Sequence, residues 1–116
     1  MKYFFIFLFL VLLGSSVFGQ TVSDSLINKL SLQVALRMKD SLNLNPRQVK
    51  SIQDAERLIF QRKVEARQFY GSDRQVIGRR LQEAENMRDS LYAQILNPEQ
   101  FTRYKSRKGE LTRITN

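Results

Sequence analysis

The chain has 116 residues, which suits one domain, and carries a formal net charge of +8 with neither cysteine nor histidine. The absence of those two residue types excludes disulfides, a cysteine nucleophile, a histidine general base and the usual zinc sites. The sequence also contains no glycine-rich phosphate loop. We therefore expect a binding protein without cofactor or metal, and not an enzyme.

Residues 1–19 are typical of a secretory signal peptide. A lysine at position 2 precedes an apolar run at 4–13, and small residues follow before Gly19. The run of ten residues is well short of the roughly 20 needed to cross a bilayer. We expect cleavage after Gly19, or alternatively after Ser16, and a periplasmic protein; a retained anchor is the other interpretation.

Loss of Lys2 with that segment lowers the formal net charge from +8 to +7. A basic balance often indicates nucleic-acid binding, but export would place the partner outside the cytoplasm. Acidic membrane surfaces or acidic protein segments fit better, with no nucleic acid as partner. The charge could also serve solubility alone.

Residues 23–42 are predicted to form the first helix, with Ser23 or Asp24 as its N-cap. Leucines 26, 32 and 36 fall outside its main apolar stripe, which indicates either a wide apolar surface or another register. The stripe itself repeats every three or four residues: Ile27, Leu30, Val34, Met38 and Leu42.

The same phrase, leucine-asparagine-proline-x-glutamine-apolar, occurs at 44–49 and again at 96–101. Asparagine is a good N-cap, proline fits the first helical position, and glutamine three residues past the cap can complete a capping box. The leucine before the cap and the final apolar residue can form a hydrophobic staple. Each phrase therefore predicts a helix start, through Leu44, Asn45, Pro46 and Gln48 in the first copy and Leu96, Asn97, Pro98 and Gln100 in the second.

Between and after these phrases the pattern predicts three more helices. The second spans about 46–70 and ends at Gly71. The third opens with a capping box at Ser72, or begins at Arg79 after a longer loop. If it begins at Ser72, it contains Gly78, which is unfavourable inside a helix. The fourth runs from Pro98 to about Lys108, is stopped by Gly109, and leaves 109–116 as a frayed tail.

The second and third helices are similar in length and closely connected, so they should lie antiparallel as a hairpin. The fold class is therefore all-α, with about four helices: an elongated hairpin and shorter flanking helices in one domain, residues 20–116. Such a body has a thin core and often gains burial from a second copy. We expect a homodimer.

The two phrases resemble the L-T-x-x-Q motif, commonly present twice, of the Spy/CpxP-type family of small periplasmic proteins. The resemblance covers about residues 24–108, with asparagine in both copies where threonine is usual. It implies a cradle-shaped, all-helical antiparallel dimer that works as an ATP-independent chaperone or as an accessory protein of envelope-stress signalling. Metal-binding members use histidine, which this chain lacks.

Two stretches mix cations with aromatic residues, and we take both as candidate client-binding surface, because charge speeds encounter and apolar groups hold exposed segments. The alternative is that the aromatics lie in the core or a dimer contact while the cations solvate the outer face. The candidates are Arg57, Phe60, Arg62, Lys63, Arg67, Phe69 and Tyr70 in the first stretch, and Phe101, Arg103, Tyr104, Lys105, Arg107 and Lys108 in the second.

The carboxylates of the third helix predict only helix-surface ion pairs, Glu83 with Arg79 and Glu85 with Arg88.

The sequence as a whole supports three functional hypotheses. The first is a periplasmic chaperone-like protein that holds unfolded or aggregation-prone clients on a basic, partly apolar helical surface. The second is a partner of an envelope-stress sensor kinase. The third is a structural protein that places its cations on a membrane surface.

Overall fold

The computed structural model of the protein describes residues 23–114, so the expected signal peptide and its cleavage sites lie outside the described residues. Four helices fill this range: α1 (Asp24–Leu42), α2 (Pro46–Phe69), α3 (Arg74–Ile95) and α4 (Pro98–Leu111). Residues 23–114 contain no strand, which confirms the all-α prediction. None of these four helices is long and apolar enough to span a membrane.

Helices α2 and α3 form the predicted antiparallel hairpin, and α1 and α4 pack against it. The Ser23 hydroxyl accepts from the backbone N–H of Leu26 and so caps α1. The predicted α1 stripe is correct, because Ile27, Val34, Met38 and Leu42 are buried and Leu30 is partly buried against the core. The three additional leucines at 26, 32 and 36 remain exposed on the outer side of α1.

Within the described residues, the core runs from Ile27 in α1 to Leu111 in α4. The leucines of both repeated phrases are buried in it, and their staple partners Val49 and Phe101 pack against it. Helix α3 contributes fewer buried side chains to the core than its apolar pattern predicts. Only Ala84, Arg88 and Tyr92 of that helix are buried, whereas its larger aliphatic residues stay half-exposed.

The start of α3 differs from the prediction. Asp73, and not Ser72, is the N-cap, with its carboxylate accepting from the backbone N–H of Val76 at 3.2 Å. The helix begins at Arg74, so a long loop up to Arg79 is wrong. Tyr70 caps α2, and Gly71 follows it without a positive φ.

Gly109 does not stop α4, which continues to Leu111 with one non-helical residue at Arg107 (φ −121°, ψ 19°). The Leu111 side chain is fully buried. Arg37 of α1 donates to the carbonyls of Leu111 at 3.0 Å and Arg113 at 2.6 Å. The prediction of a frayed tail is therefore wrong for 109–114, because core burial and this arginine hold the segment in place.

Candidate functional site

Both repeated phrases form complete capping boxes, as the sequence predicts. The Asn45 side chain accepts from the backbone N–H of Gln48 at 2.8 Å, while the side-chain Oε1 of Gln48 accepts from the backbone N–H of Asn45 at 3.0 Å. Asn97 and Gln100 repeat this geometry with the same two distances. Each box satisfies two backbone donors that a helix start leaves without an intrahelical partner.

The two phrases also contact each other, which the sequence alone does not reveal. The Gln48 amide nitrogen donates to the Gln100 side-chain oxygen at 2.7 Å, and the Gln100 amide nitrogen donates back at 3.3 Å. Gln48 donates to the carbonyl of Ile95, and Gln100 to that of Leu42, each at 3.2 Å. The repeat therefore joins the α1–α2 and α3–α4 corners at one end of the bundle.

The second basic-aromatic stretch, 101–108, is used largely by the fold itself. Tyr104 is fully buried and donates to Asp89 at 2.7 Å, while Phe101 lies against it with ring centroids 5.7 Å apart. Lys105 and Lys108 both pair with Asp89, at 3.2 and 2.9 Å. Arg103 and Arg107 pair with their own helix neighbours Glu99 and Glu110. The cations of this stretch are thus each matched by a carboxylate.

The pairs on Asp89 belong to a larger charged network that sequence reasoning missed. At its centre Arg88 donates to both carboxylate oxygens of Glu56, each at 2.9 Å, although the two side chains are only 3% and 0% exposed. The Tyr92 hydroxyl donates to the same carboxylate. Arg88 also pairs with Glu85 at 2.6 Å, so the predicted pair exists, but it is partly buried and not on a solvated face.

Glu85 connects this centre to the outer cations. It accepts from Lys63, and Lys108 lies 3.0 Å away. Burial by itself would raise the pKa of the Glu85 carboxyl. The hydrogen bond from Lys63, the charge of Arg88 and the hydrogen bond from Lys108 outweigh burial and lower the pKa to about 2. Burial and the Glu56 carboxylate raise the pKa of Tyr92 well above its usual value, so that tyrosine remains a neutral donor.

The first basic-aromatic stretch divides into two parts. Phe60 is a core residue, Lys63 belongs to the network, and Arg57 pairs with Asp54 and donates to Asn28 of α1. Arg62 and Arg67, by contrast, are exposed and pair with no carboxylate of the described chain.

The aromatic residues that end this stretch lie where the hairpin turns. Phe69 is 75% exposed, the largest value among the large hydrophobic side chains of residues 23–114. Tyr70 lies beside it, and the guanidinium of Arg80 is 5.5 Å from the centroid of the Tyr70 ring. Arg80 also pairs with Glu83 at 3.0 Å, so Glu83 is not paired with Arg79 as the spacing predicted.

These residues border an open groove of about 270 Å³ between α2 and α3, which we call the hairpin groove. Alanines at 66 and 84 form its floor, because they are buried and small. The lining residues are Arg62, Glu65, Ala66, Phe69, Tyr70, Arg80, Glu83, Ala84 and Met87. The groove thus combines an apolar floor, two aromatic rings and a methionine with one arginine and one glutamate from each helix.

A second groove, of about 290 Å³, lies beside the start of α1. Its lining is more aliphatic and includes Leu26, Leu30, Val64 and Ile114, with Lys63 and Arg67 at its edge. Lys63 is engaged by Glu85, so Arg67 is the lining cation of this second groove that pairs with no carboxylate of the described residues, as Arg62 is in the hairpin groove. Of the thirteen candidate residues, the structure brings Arg62, Phe69 and Tyr70 together in one concave surface.

Comparison with known proteins adds no assignment: no protein-family model, curated protein or solved structure matches the chain.

Proposed function

We propose that the protein is an exported, ATP-independent, chaperone-like binding protein that holds unfolded or aggregation-prone clients in its hairpin groove. The observation that carries the proposal is the composition of that groove. The exposed Phe69 and the half-buried Tyr70 and Met87 share a concave surface with arginines and glutamates from two helices. Arginine, aromatic residues and methionine are the types enriched at protein interfaces.

The difference between paired and unpaired cations supports the hairpin groove as the binding surface. In the second basic-aromatic stretch the cations are matched by carboxylates within the fold. Arg62 at the hairpin groove makes no such pair within the described residues. A free guanidinium attracts acidic segments over a distance, which speeds encounter, and the exposed Phe69 ring then offers apolar contact.

The shape and chemistry of the groove also support adaptable binding. Methionine is unbranched and polarisable, so Met87 can fit side chains of different shapes. Small alanines in the floor leave room for a bulky apolar group between the helices. A groove of about 270 Å³ is at the lower limit for small-molecule sites, which suits one or two client side chains at a time. Binding through such short contacts is reversible and needs no nucleotide.

The test uses purified residues 20–116, which contain the whole described core. Light scattering of thermally unfolding clients is followed without ATP, across a titration of the protein, at low and high salt. We expect suppression near stoichiometric ratios, with slower capture at high salt because salt screens the arginines. Absence of suppression for several unrelated clients would refute the proposal.

A pair of variants tests the site itself. Met87→Glu places a charge in the hairpin groove, whereas Leu36→Glu makes the same kind of change at an exposed leucine on α1. Circular dichroism first verifies that both variants fold. We expect Met87→Glu to lose most of the suppression and Leu36→Glu to keep it. Equal losses in the two variants would contradict assignment of the site to the groove.

A further inference from the structure

The turn-proximal end of the hairpin, residues 67–83, has a surface unlike the rest of the molecule. We call this segment the hairpin end, and none of its side chains is buried. No hydrogen bond or ion pair from α1 or α4 reaches it within the described chain. In the described part of the chain, Arg67 lies beside α1 at the second groove, and the rest of this end is exposed or half-buried.

The hairpin end carries arginines that the fold does not neutralise. Arg67, Arg74 and Arg79 pair with no carboxylate of the described residues. The two acidic residues of the segment are already engaged, since Asp73 caps α3 and Glu83 pairs with Arg80. The segment thus presents a net positive charge that is free to meet an external anion.

The arginines lie close to the turn, one on α2 and two on α3. Arg67 is two residues from the end of α2, Arg74 begins α3, and Arg79 is five residues further on. At 1.5 Å per residue all three lie within about 8 Å of the turn along the helix axes. That distance is about one Debye length at physiological salt, so all three would interact with one charged plane at the turn.

Phe69 adds an exposed aromatic ring to the arginines of the hairpin end. It is the last residue of α2 and is 75% exposed at the turn, with Tyr70 next to it. Aromatic side chains favour the boundary between lipid head groups and acyl chains, and long cationic side chains place their charges in the head-group layer. An exposed ring at the turn, with unpaired arginines nearby on both helices, has the chemistry of a membrane-docking element.

We propose that the hairpin end docks end-on against an anionic lipid surface, with Phe69 at the head-group boundary and Arg67, Arg74 and Arg79 among the lipid phosphates. This interaction shares Phe69 with the hairpin groove but differs from client binding in its cations, because Arg74 and Arg79 do not line that groove. It leaves much of the groove side of the hairpin open, since the membrane would contact the turn.

The test is co-sedimentation of residues 20–116 with vesicles, so that the apolar segment at 4–13 cannot itself insert. One vesicle preparation is phosphatidylcholine alone, and the other is phosphatidylcholine mixed with phosphatidylglycerol. We expect binding to the anionic vesicles only, and weaker binding at higher salt. Equal partitioning into both preparations, or none into the anionic one, would overturn the proposal.

Matched double variants separate local docking from general charge attraction. Arg74→Gln/Arg79→Gln removes two free cations from the hairpin end. Lys39→Gln/Arg47→Gln removes two exposed cations, also without a carboxylate partner in the described chain, near the opposite end of the hairpin. An arginine near an anionic membrane contributes about fivefold in binding, so we expect a loss of about 25-fold in the first variant.

The control variant should bind within about twofold of the parent protein, since its cations lie more than a Debye length from the docked turn. Equal losses in the two variants would contradict end-on docking. Met87→Glu should bind lipid as the parent protein does, because the substitution lies outside the hairpin end. The lipid result therefore does not depend on the outcome of the client assay. A loss of lipid binding in Met87→Glu as large as in Arg74→Gln/Arg79→Gln would also count against the proposal.

Discussion

The buried Glu56–Arg88 pair makes the sharpest prediction about stability. In the variant Arg88→Met the Glu56 carboxylate, which is 0% exposed, keeps only the hydroxyl of Tyr92 as a partner. Breaking a buried ion pair from one side costs about 3–5 kcal/mol, because the remaining charge stays desolvated. Small domains have a free energy of unfolding of about 5–15 kcal/mol, so this loss is a large part of the total.

Urea unfolding followed by circular dichroism measures the effect. Arg88→Met should lower the free energy of unfolding by at least about 3 kcal/mol and the melting temperature by at least about 12 °C. Arg103→Met is the matched control, because it breaks a half-exposed pair with Glu99 on the helix surface. It should unfold at nearly the same urea concentration as the parent protein.

A triple variant distinguishes desolvated charge from lost packing. Glu56→Leu/Arg88→Met/Tyr92→Phe replaces the network centre with apolar groups and leaves no buried hydroxyl without a partner. Apolar replacement of a whole buried ion pair is often neutral or stabilising. We therefore expect the triple variant to recover most of the lost stability. A triple variant as unstable as Arg88→Met, or an unchanged Arg88→Met, would refute the reasoning.

Three further predictions concern the caps, acid and a glycine. Replacing either motif asparagine by alanine should lower the free energy of unfolding by about 1 kcal/mol, as measured by thermal melting. A double-mutant cycle of Gln48→Ala with Gln100→Ala should show a coupling energy of at least about 0.5 kcal/mol. Additive losses in that cycle would contradict the amide pair. Because the pKa of Glu85 falls from 4.5 unfolded to about 2 folded, its stabilisation is complete above about pH 5 and is lost as the pH falls toward 2. Urea titrations should show this loss, at most about 3 kcal/mol, and Glu85→Gln should flatten the profile. Gly78→Ala should stabilise by about 0.5–1 kcal/mol in the same assay, since an added Cβ would meet no heavy atom within 4 Å; destabilisation would indicate an unrecognised contact.

Features set by neighbouring residues were predictable from the sequence. The starts of α2 and α4 follow from the asparagine cap, the proline and the back-bonding glutamine, all within four residues. The buried stripe of α1 follows from its periodicity. Local competition limits such reasoning: Ser72 and Asp73 are both good caps, and only the geometry showed that Asp73 reaches Val76.

Features set by distant contacts were not predictable. Glycine at position 109 costs about 1 kcal/mol in a helix, but burial of Leu111 outweighs that cost, so α4 continues. The partner of Arg88 is Glu56, 32 positions earlier and on another helix, and no local pattern indicates it. The amide pair between Gln48 and Gln100 is likewise visible only once the two corners meet.

The candidate site was likewise predictable only in part. The composition of 57–70 indicated a mixed cationic and aromatic surface, but the sequence could not separate free cations from paired ones. The carboxylates that neutralise 101–108 include Asp89 and Glu85 on α3, whereas the cations are on α4. Only the packing of these helices shows that Arg62 pairs with no carboxylate of the described chain and that Phe69, in the same groove, stays exposed.

Amide hydrogen exchange of the protein, alone and with an unfolded client, tests the central claim most directly. The account predicts that the client slows exchange in residues 62–70 and 80–87, which form the two sides of the hairpin groove. Exchange in α4 and at the start of α1 should change little. Protection centred on residues 26–30 beside the second groove, or on 101–108, with none at the hairpin groove, would contradict it.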